Sequence, residues 1–94
     1  MEIKQTNEEK NGVFTASENE SKAGEMTYTW AGKDKFIIDH TNVDPAFNGQ
    51  GVGKKLVLEA VNFARENKLK IMPLCPFAKS VFDKNPDLHD VLFG

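Results

Sequence analysis

The feature that most limits the folds open to this chain is a change of apolar period near residue 50. Up to Val43 the apolar residues alternate, as in strands, and from Val52 they recur every three or four residues, as in helices. Between the two patterns stand Gly49, Gly51 and Gly53, three glycines in five residues. Each lacks a Cβ, so its backbone takes positive φ and lets another group approach its amides. A strand, a glycine-rich turn and a helix start, in that order, leave the unpaired N–H groups of the first helical turn pointing outward at the positive end of the helix dipole. That arrangement suits an anion, and Lys54 and Lys55 add charge at its edge. The plainer alternative is that the glycines only permit a tight strand-to-helix turn.

The pattern on either side of the glycines gives the rest of the fold. Val13, Thr15 and Ser17 alternate with Phe14 and Ala16, and Met26, Tyr28 and Trp30 alternate with Thr27, Thr29 and Ala31. Polar breaks at Lys10–Gly12, Glu18–Gly24 and Ala31–Lys35 divide this half into three or four antiparallel strands. Phe36–Val43 reads as a more buried strand, ended by Asp44-Pro45. Val52, Leu56, Ala60 and Phe63 then form one stripe, with Val57, Val61 and Ala64 beside it, which predicts a helix from about Gly53 to Glu66 with Asn67 as a left-handed cap. Leu69–Cys75 is a short apolar strand, expected parallel to Phe36–Val43. Pro76 opens a second helix whose buried side is Phe77, Val81 and Phe82, Pro86 stops it, and Asp87–Gly94 adds a further helical turn. The expected class is α+β: an antiparallel N-terminal sheet running into a β-α-β-α unit, with helices packed on a single layer of sheet.

Length and charge narrow the functions. Ninety-four residues make one small domain, 1–94. Twelve basic residues against fourteen acidic ones give a net charge of −2, which offers no general attraction to nucleic acid or an anionic membrane. No apolar run approaches the roughly 20 residues of a membrane span, and Met1–Gly12 has no apolar signal core, so the expected location is the cytoplasm. Cys75 is the only cysteine, which rules out an intrachain disulfide and a multi-cysteine zinc site; no metal is expected. Asn19-Glu20-Ser21 matches a glycosylation sequon, but without a secretory signal it carries no weight.

Two phosphate-binding motifs fail on spacing. The dinucleotide fingerprint G-x-G-x-x-G needs glycine at Lys54, and the loop G-x-x-x-x-G-K-[ST] needs glycine at Asn48 and a hydroxyl at Lys55. The stretch Val43–Val61, by contrast, resembles the acyl-CoA-binding segment of the GNAT superfamily of N-acetyltransferases, whose signature [QR]-x-x-G-x-[GA] reads here Asn48-Gly49-Gln50-Gly51-Val52-Gly53. The first position departs, with asparagine for arginine or glutamine. His40–Val57 and Lys70–Phe77 together are similar to a subgroup of very small, single-domain GNAT-like proteins.

The resemblance implies a GNAT-like fold with a strand splay, acetyl-CoA as acetyl donor, and an amine, small or protein-borne, as acceptor. It implies that the diphosphate of coenzyme A rests on the amides of Gln50, Gly51, Val52, Gly53 and Lys54, with Asn48 and Gly49 completing the loop. The pantetheine arm would lie beside Thr41, Asn42 and Val43 like an added strand. The acetyl group would sit where the strands ending at Val43 and Cys75 diverge. Many members carry an F-Y-x-K tyrosine that protonates the departing thiolate. The corresponding stretch, Val81-Phe82-Asp83-Lys84, puts Phe82 there without a hydroxyl.

Transfer to an amine needs a neutral amine, a stabilised carbonyl oxygen and a proton for the thiolate. His40 and Cys75 are the candidate catalytic residues. Cys75 ends the strand beside His40's, so the two are expected to converge on the acetyl group, where a thiolate activated by His40 would take the acetyl first. Against this stand the plainer readings of Cys75 as a small buried apolar residue and of His40 as a hydrogen-bonding strand residue. His89 reads as a surface residue. Glu25, Tyr28 and Trp30 lie on the strand where substrate-binding or base groups could arise, with core packing favoured for the two aromatics. The sequence before Met26 has no helical periodicity, so the acceptor side is either open or completed by a second copy in a homodimer. Two other classes remain: a CoA-binding or sensing module with little turnover, and an interaction domain that pairs a partner strand with its sheet edge.

Overall fold

The computed structural model describes residues 1–93 and contains five strands and two helices. Strands β1 (Glu2–Asn7), β2 (Asn11–Glu18), β3 (Ser21–Trp30) and β4 (Lys35–Val43) run antiparallel to their neighbours. Helix α1 (Val52–Asn67) leads to β5 (Lys70–Pro73), which pairs parallel with β4, so the sheet order is β1-β2-β3-β4-β5. Helix α2 (Pro76–Lys84) and a 3-10 segment, Pro86–Val91, follow. The expected α+β architecture is therefore observed.

Alternation decides which face of the sheet is covered. Phe14, Met26, Tyr28, Phe36, Ile38 and Ile71 point to one side and are fully buried against Leu56, Val57, Ala60 and Val61 of α1. The residues between them, such as Val13, Thr15, Thr27, Thr29 and Ile37, lie half-buried on the opposite, open face. Each large apolar side chain taken from water contributes about 1.5–3 kcal/mol, so this one layer of contacts holds the sheet to the helices. The half-buried ring of Phe63 closes the aromatic group formed by Phe14, Tyr28, Trp30 and Phe36.

Several boundaries differ from the sequence reading. The break expected over Glu18–Gly24 shrinks to Asn19-Glu20, both with positive φ (52° and 67°), the twist-matched geometry of a two-residue hairpin turn. The left-handed residue after α1 is Lys68 (φ 57°), not Asn67, whose side chain instead donates to the Phe63 carbonyl. On α2, Ala78 replaces Phe77 on the buried side, and Phe77 remains 43% exposed. The tail forms a 3-10 segment, after which Leu92 bridges Ile71 and the Phe93 amide donates to the Ile71 carbonyl, covering the outer edge of β5. No helix among the described residues is long and apolar enough to cross a membrane.

Candidate functional site

Two local devices open a gap between β4 and β5. The parallel ladder ends at Ile38↔Pro73, the last register in which β5 follows β4. The next two amides, Leu74 and Cys75, both turn back to the Ile38 carbonyl at 3.2 Å, which carries the chain away from β4. On the other strand the register against β3 slips by one residue between Thr27↔His40 and Tyr28↔Ile38, which makes Asp39 a bulge. Residues 39–43 of β4 thus have a partner strand only on the β3 side.

The bulge also reverses the side-chain parity of the end of β4. Ile38 faces the helices, yet His40 pairs across from Thr27 and so lies, exposed, on the open face. Thr41, across from Met26, takes the inward position, and the Cys75 thiol donates to its hydroxyl at 3.6 Å. The expected convergence of His40 and Cys75 is therefore not what the register produces. Asp39, which the sequence reading passed over, is half-buried on His40's side and accepts a 2.6 Å hydrogen bond from the Thr29 hydroxyl. Glu25 is on that side too and is paired with Lys22.

Cys75 is the N-cap of α2 and is nearly buried. Burial pushes its thiol pKa up, but the nearby Ala78 amide, the Thr41 hydroxyl and the Phe77 amide favour the thiolate more, and the result lies below the ordinary value. The sulfur does not form a regular capping hydrogen bond, so these amides act at longer range than a true cap.

Beyond Val43, Asp44 caps a single 3-10 turn, Pro45–Phe47, by accepting from the Ala46 amide. The glycine loop then enters α1 through Gly51, which has φ 71° and no side-chain cap. The first helical hydrogen bond runs from Lys55 N–H to the Gly51 carbonyl, leaving the amides of Val52, Gly53 and Lys54 without an intrahelical acceptor. Gln50 does not share in this, since its amide already donates to the Phe47 carbonyl at 3.3 Å. The three glycines also divide their work. Gly49 (φ 84°) and Gly51 hold left-handed backbone, and a Cβ at either would meet nothing within 4 Å. A Cβ on Gly53 would come within 2.6 Å of the Phe77 ring, so Gly53 lets α2 approach α1.

In front of this loop lies a cavity of about 480 Å³. Val43, Asn48, Gly49, Gly51, Val52, Gly53 and Lys54 line one wall. Phe77, Ser80, Val81 and Lys84 of α2, with its C-cap Asn85, line the other. Among the described residues no carboxylate lines it, although acidic residues outnumber basic ones in the chain. Free amides, two ammonium groups and absent Cβ atoms match a diphosphate-bearing ligand in charge and shape.

Other expected contacts fall elsewhere. Phe82 is 1% exposed and belongs to the core, one helical position away from the cavity face, so its ring does not line the site. Asn42 pairs across from Glu25 and does not line the cavity, and Thr41 faces Cys75. The wall contributed by α2 was missed, although Phe77, Ser80, Val81 and Lys84 recur at the spacing of one helix face.

Comparison with known proteins agrees with this geometry. A model of the GCN5-related N-acetyl-transferase family matches residues 13–91. A GCN5-like protein from Staphylococcus aureus, solved in solution, is 41% identical over 99% of this chain and 88% of its own, with a TM-score of 0.72. A streptothricin acetyltransferase assigned in Bacillus anthracis and solved with acetyl coenzyme A shares the fold at 24% identity, over 71% of this chain and 39% of its own, with a TM-score of 0.60. Protein NATD1 of Xenopus tropicalis is 33% identical over 61 residues, 65% of this chain; the match spans 56% of that relative, little more than half the length of the curated proteins it resembles. With the glycine loop at the head of α1, the gap between β4 and β5 and the family match over most of its length, this chain belongs to the GCN5-related N-acetyltransferase family.

Proposed function

We propose that this protein is an acetyl-CoA-dependent N-acetyltransferase acting on an amine. The observation that carries this reading is the cavity running from the free amides of Val52, Gly53 and Lys54 to Val43, at the mouth of the gap between the strands. Those amides and Lys54 would hold the diphosphate, and the unpaired side of Thr41–Val43 would hold the extended arm. Acetyl-CoA as donor is supported by the structural relative bound to it. When bound, it supplies an activated thioester.

Within that reading, Cys75, whose thiol donates to Thr41 beside the gap and whose pKa is lowered, is the residue that would take the acetyl group. Its thiolate attacks the carbonyl carbon, the bond to the CoA sulfur breaks, and that sulfur leaves as thiolate. A neutral amine then takes the acetyl from Cys75, the Cys75 thiolate is restored, and the proton lost by the amine ends on CoA. Activation of Cys75 in this scheme comes from Thr41 and the head of α2, and His40 on the open face has no part in it. The test is mass spectrometry after mixing with acetyl-CoA in the absence of amine. An acetylated Cys75 peptide is expected; an unmodified Cys75, together with a Cys75→Ala rate equal to wild type, would replace this route with direct attack by the amine.

A second reading, a CoA-binding module with little turnover, is favoured by one observation: among the described residues no imidazole or carboxylate lines the cavity to take a proton from the amine. Amine-dependent release of free thiol from acetyl-CoA, followed over a panel of amines, separates the two. Turnover supports the enzyme, and saturable binding without thiol release supports the module.

A further inference from the structure

The two edges of the sheet are finished differently. The outer edge of β5 is covered by the tail, through Leu92 and Phe93 on Ile71. At the other side β1 is last in the sheet order and pairs only with β2, so one row of its backbone groups has no strand beside it. Folded proteins commonly blunt such an edge with proline, a bulge or a very short strand. β1 has none of these: its six residues, Glu2–Asn7, run in unbroken register with β2.

Backbone phase and charge together say what this edge fits. The Glu8 amide donates to the Asn11 carbonyl at 2.8 Å, in register with the β1–β2 ladder. Counting back by twos, Thr6, Lys4 and Glu2 turn their backbone groups to β2, and Ile3, Gln5 and Asn7 turn theirs to the free edge. Glu2 and Lys4 share the open face, both exposed, with their charged ends 3.5 Å apart. Ile3 between them is half-buried against the core. An antiparallel copy of β1 centred on Ile3 sets Ile3 against Ile3, each with its amide and carbonyl turned to the other, and Glu2 against Lys4 twice. Sliding that copy by two residues either way brings Lys4 opposite Lys4 or Glu2 opposite Glu2, which disfavours pairing. A slide of one residue would set the core side of one strand against the open side of the other.

We infer that the free edge of β1 is a self-association surface, on which two copies join about a two-fold axis at Ile3 into one continuous sheet. The partner is a second copy because this register sets both charges of each strand against their opposites. One strand from each copy makes a small interface, so the association is weak and belongs to high protein concentration. It lies three strands from β4, leaves each cavity open, and does not depend on the CoA reading.

The experiment is sedimentation equilibrium at low salt, from roughly 10 μM to 1 mM protein, on wild type, Lys4→Glu, Glu2→Lys and the double variant. Wild type is expected to dimerise across that range. Each single change sets like charges opposite each other twice and should weaken the dimer about tenfold. The double variant restores both pairs and should dimerise as wild type does. The single changes move the net charge of −2 in opposite directions, so a general charge effect would weaken one dimer and strengthen the other. Hydrogen exchange at the Ile3 amide should slow as wild-type concentration rises. A wild type that stays monomeric at the top of the range, single variants that dimerise as wild type, or a double variant that does not recover would overturn the inference.

Discussion

Gly53→Ala is a substitution whose sign the structure decides. On helix propensity alone, alanine stabilises an α-helix by up to about 1 kcal/mol relative to glycine. The new methyl, however, would lie 2.6 Å from two ring atoms of Phe77, a separation that real contacts do not show. Overpacking of this kind costs about 1–3 kcal/mol. Because Phe77 is 43% exposed, its ring can swing outward, which keeps the cost to about 2 kcal/mol, the middle of that range. The net effect is a loss of about 1 kcal/mol, or a Tm lower by about 4–8 °C for a domain of this size. In a Phe77→Ala background the overlap is gone, and the same Gly53→Ala change should raise Tm by a similar amount. Thermal melts and urea titrations of the four proteins complete the cycle. A stabilising Gly53→Ala in wild type, or an equal effect in both backgrounds, would refute the assignment of Gly53 to helix–helix contact.

Three further outcomes follow from other parts of the molecule. Gly51→Ala meets no neighbour but must adopt φ 71°, so it should cost about 1–2 kcal/mol in urea titrations while its methyl enters the cavity and weakens CoA binding. Tyr28→Phe removes a hydroxyl that accepts from Gln5 and donates to Asn7, which should lower stability by about 1 kcal/mol and speed hydrogen exchange in β1. Because the Cys75 pKa is depressed on folding, its contribution to stability is fully present above the unfolded-state pKa and is lost as pH falls through the folded-state value. Wild type should therefore gain stability with rising pH in that window relative to Cys75→Ala, and parallel curves would contradict the shift.

How much of this was legible in the sequence depends on whether the signal was local. The glycine loop, the helix behind it and the crossover to β5 could be read because the change of period and the turn residues lie within a few positions of each other. The placement of His40 could not, because a one-residue bulge at Asp39 reverses the parity of everything after it, and nothing in Ile38-Asp39-His40 marks the slip. Pro73 was visible, but that the ladder stops there, with the Leu74 and Cys75 amides both on the Ile38 carbonyl, needs the register of the opposite strand. On α2, Phe82 was assigned to the site by alignment with a motif, whereas the helix turns Phe82 to the core and Phe77, Ser80 and Lys84 to the cavity. The apolar side of a short helix with aromatics on two faces does not reveal which one meets the sheet.

The central claim is that the amides at the head of α1 receive a diphosphate and aim a thioester into the gap between β4 and β5. Its most direct test is a titration of the isotope-labelled protein with coenzyme A, followed through its backbone amide resonances. Saturable shifts concentrated at Gly49, Gly51, Val52, Gly53 and Lys54, and extending to Val43, are the expected result. No saturation at millimolar ligand, or shifts confined to the open face around Thr27 and Asp39, would contradict it.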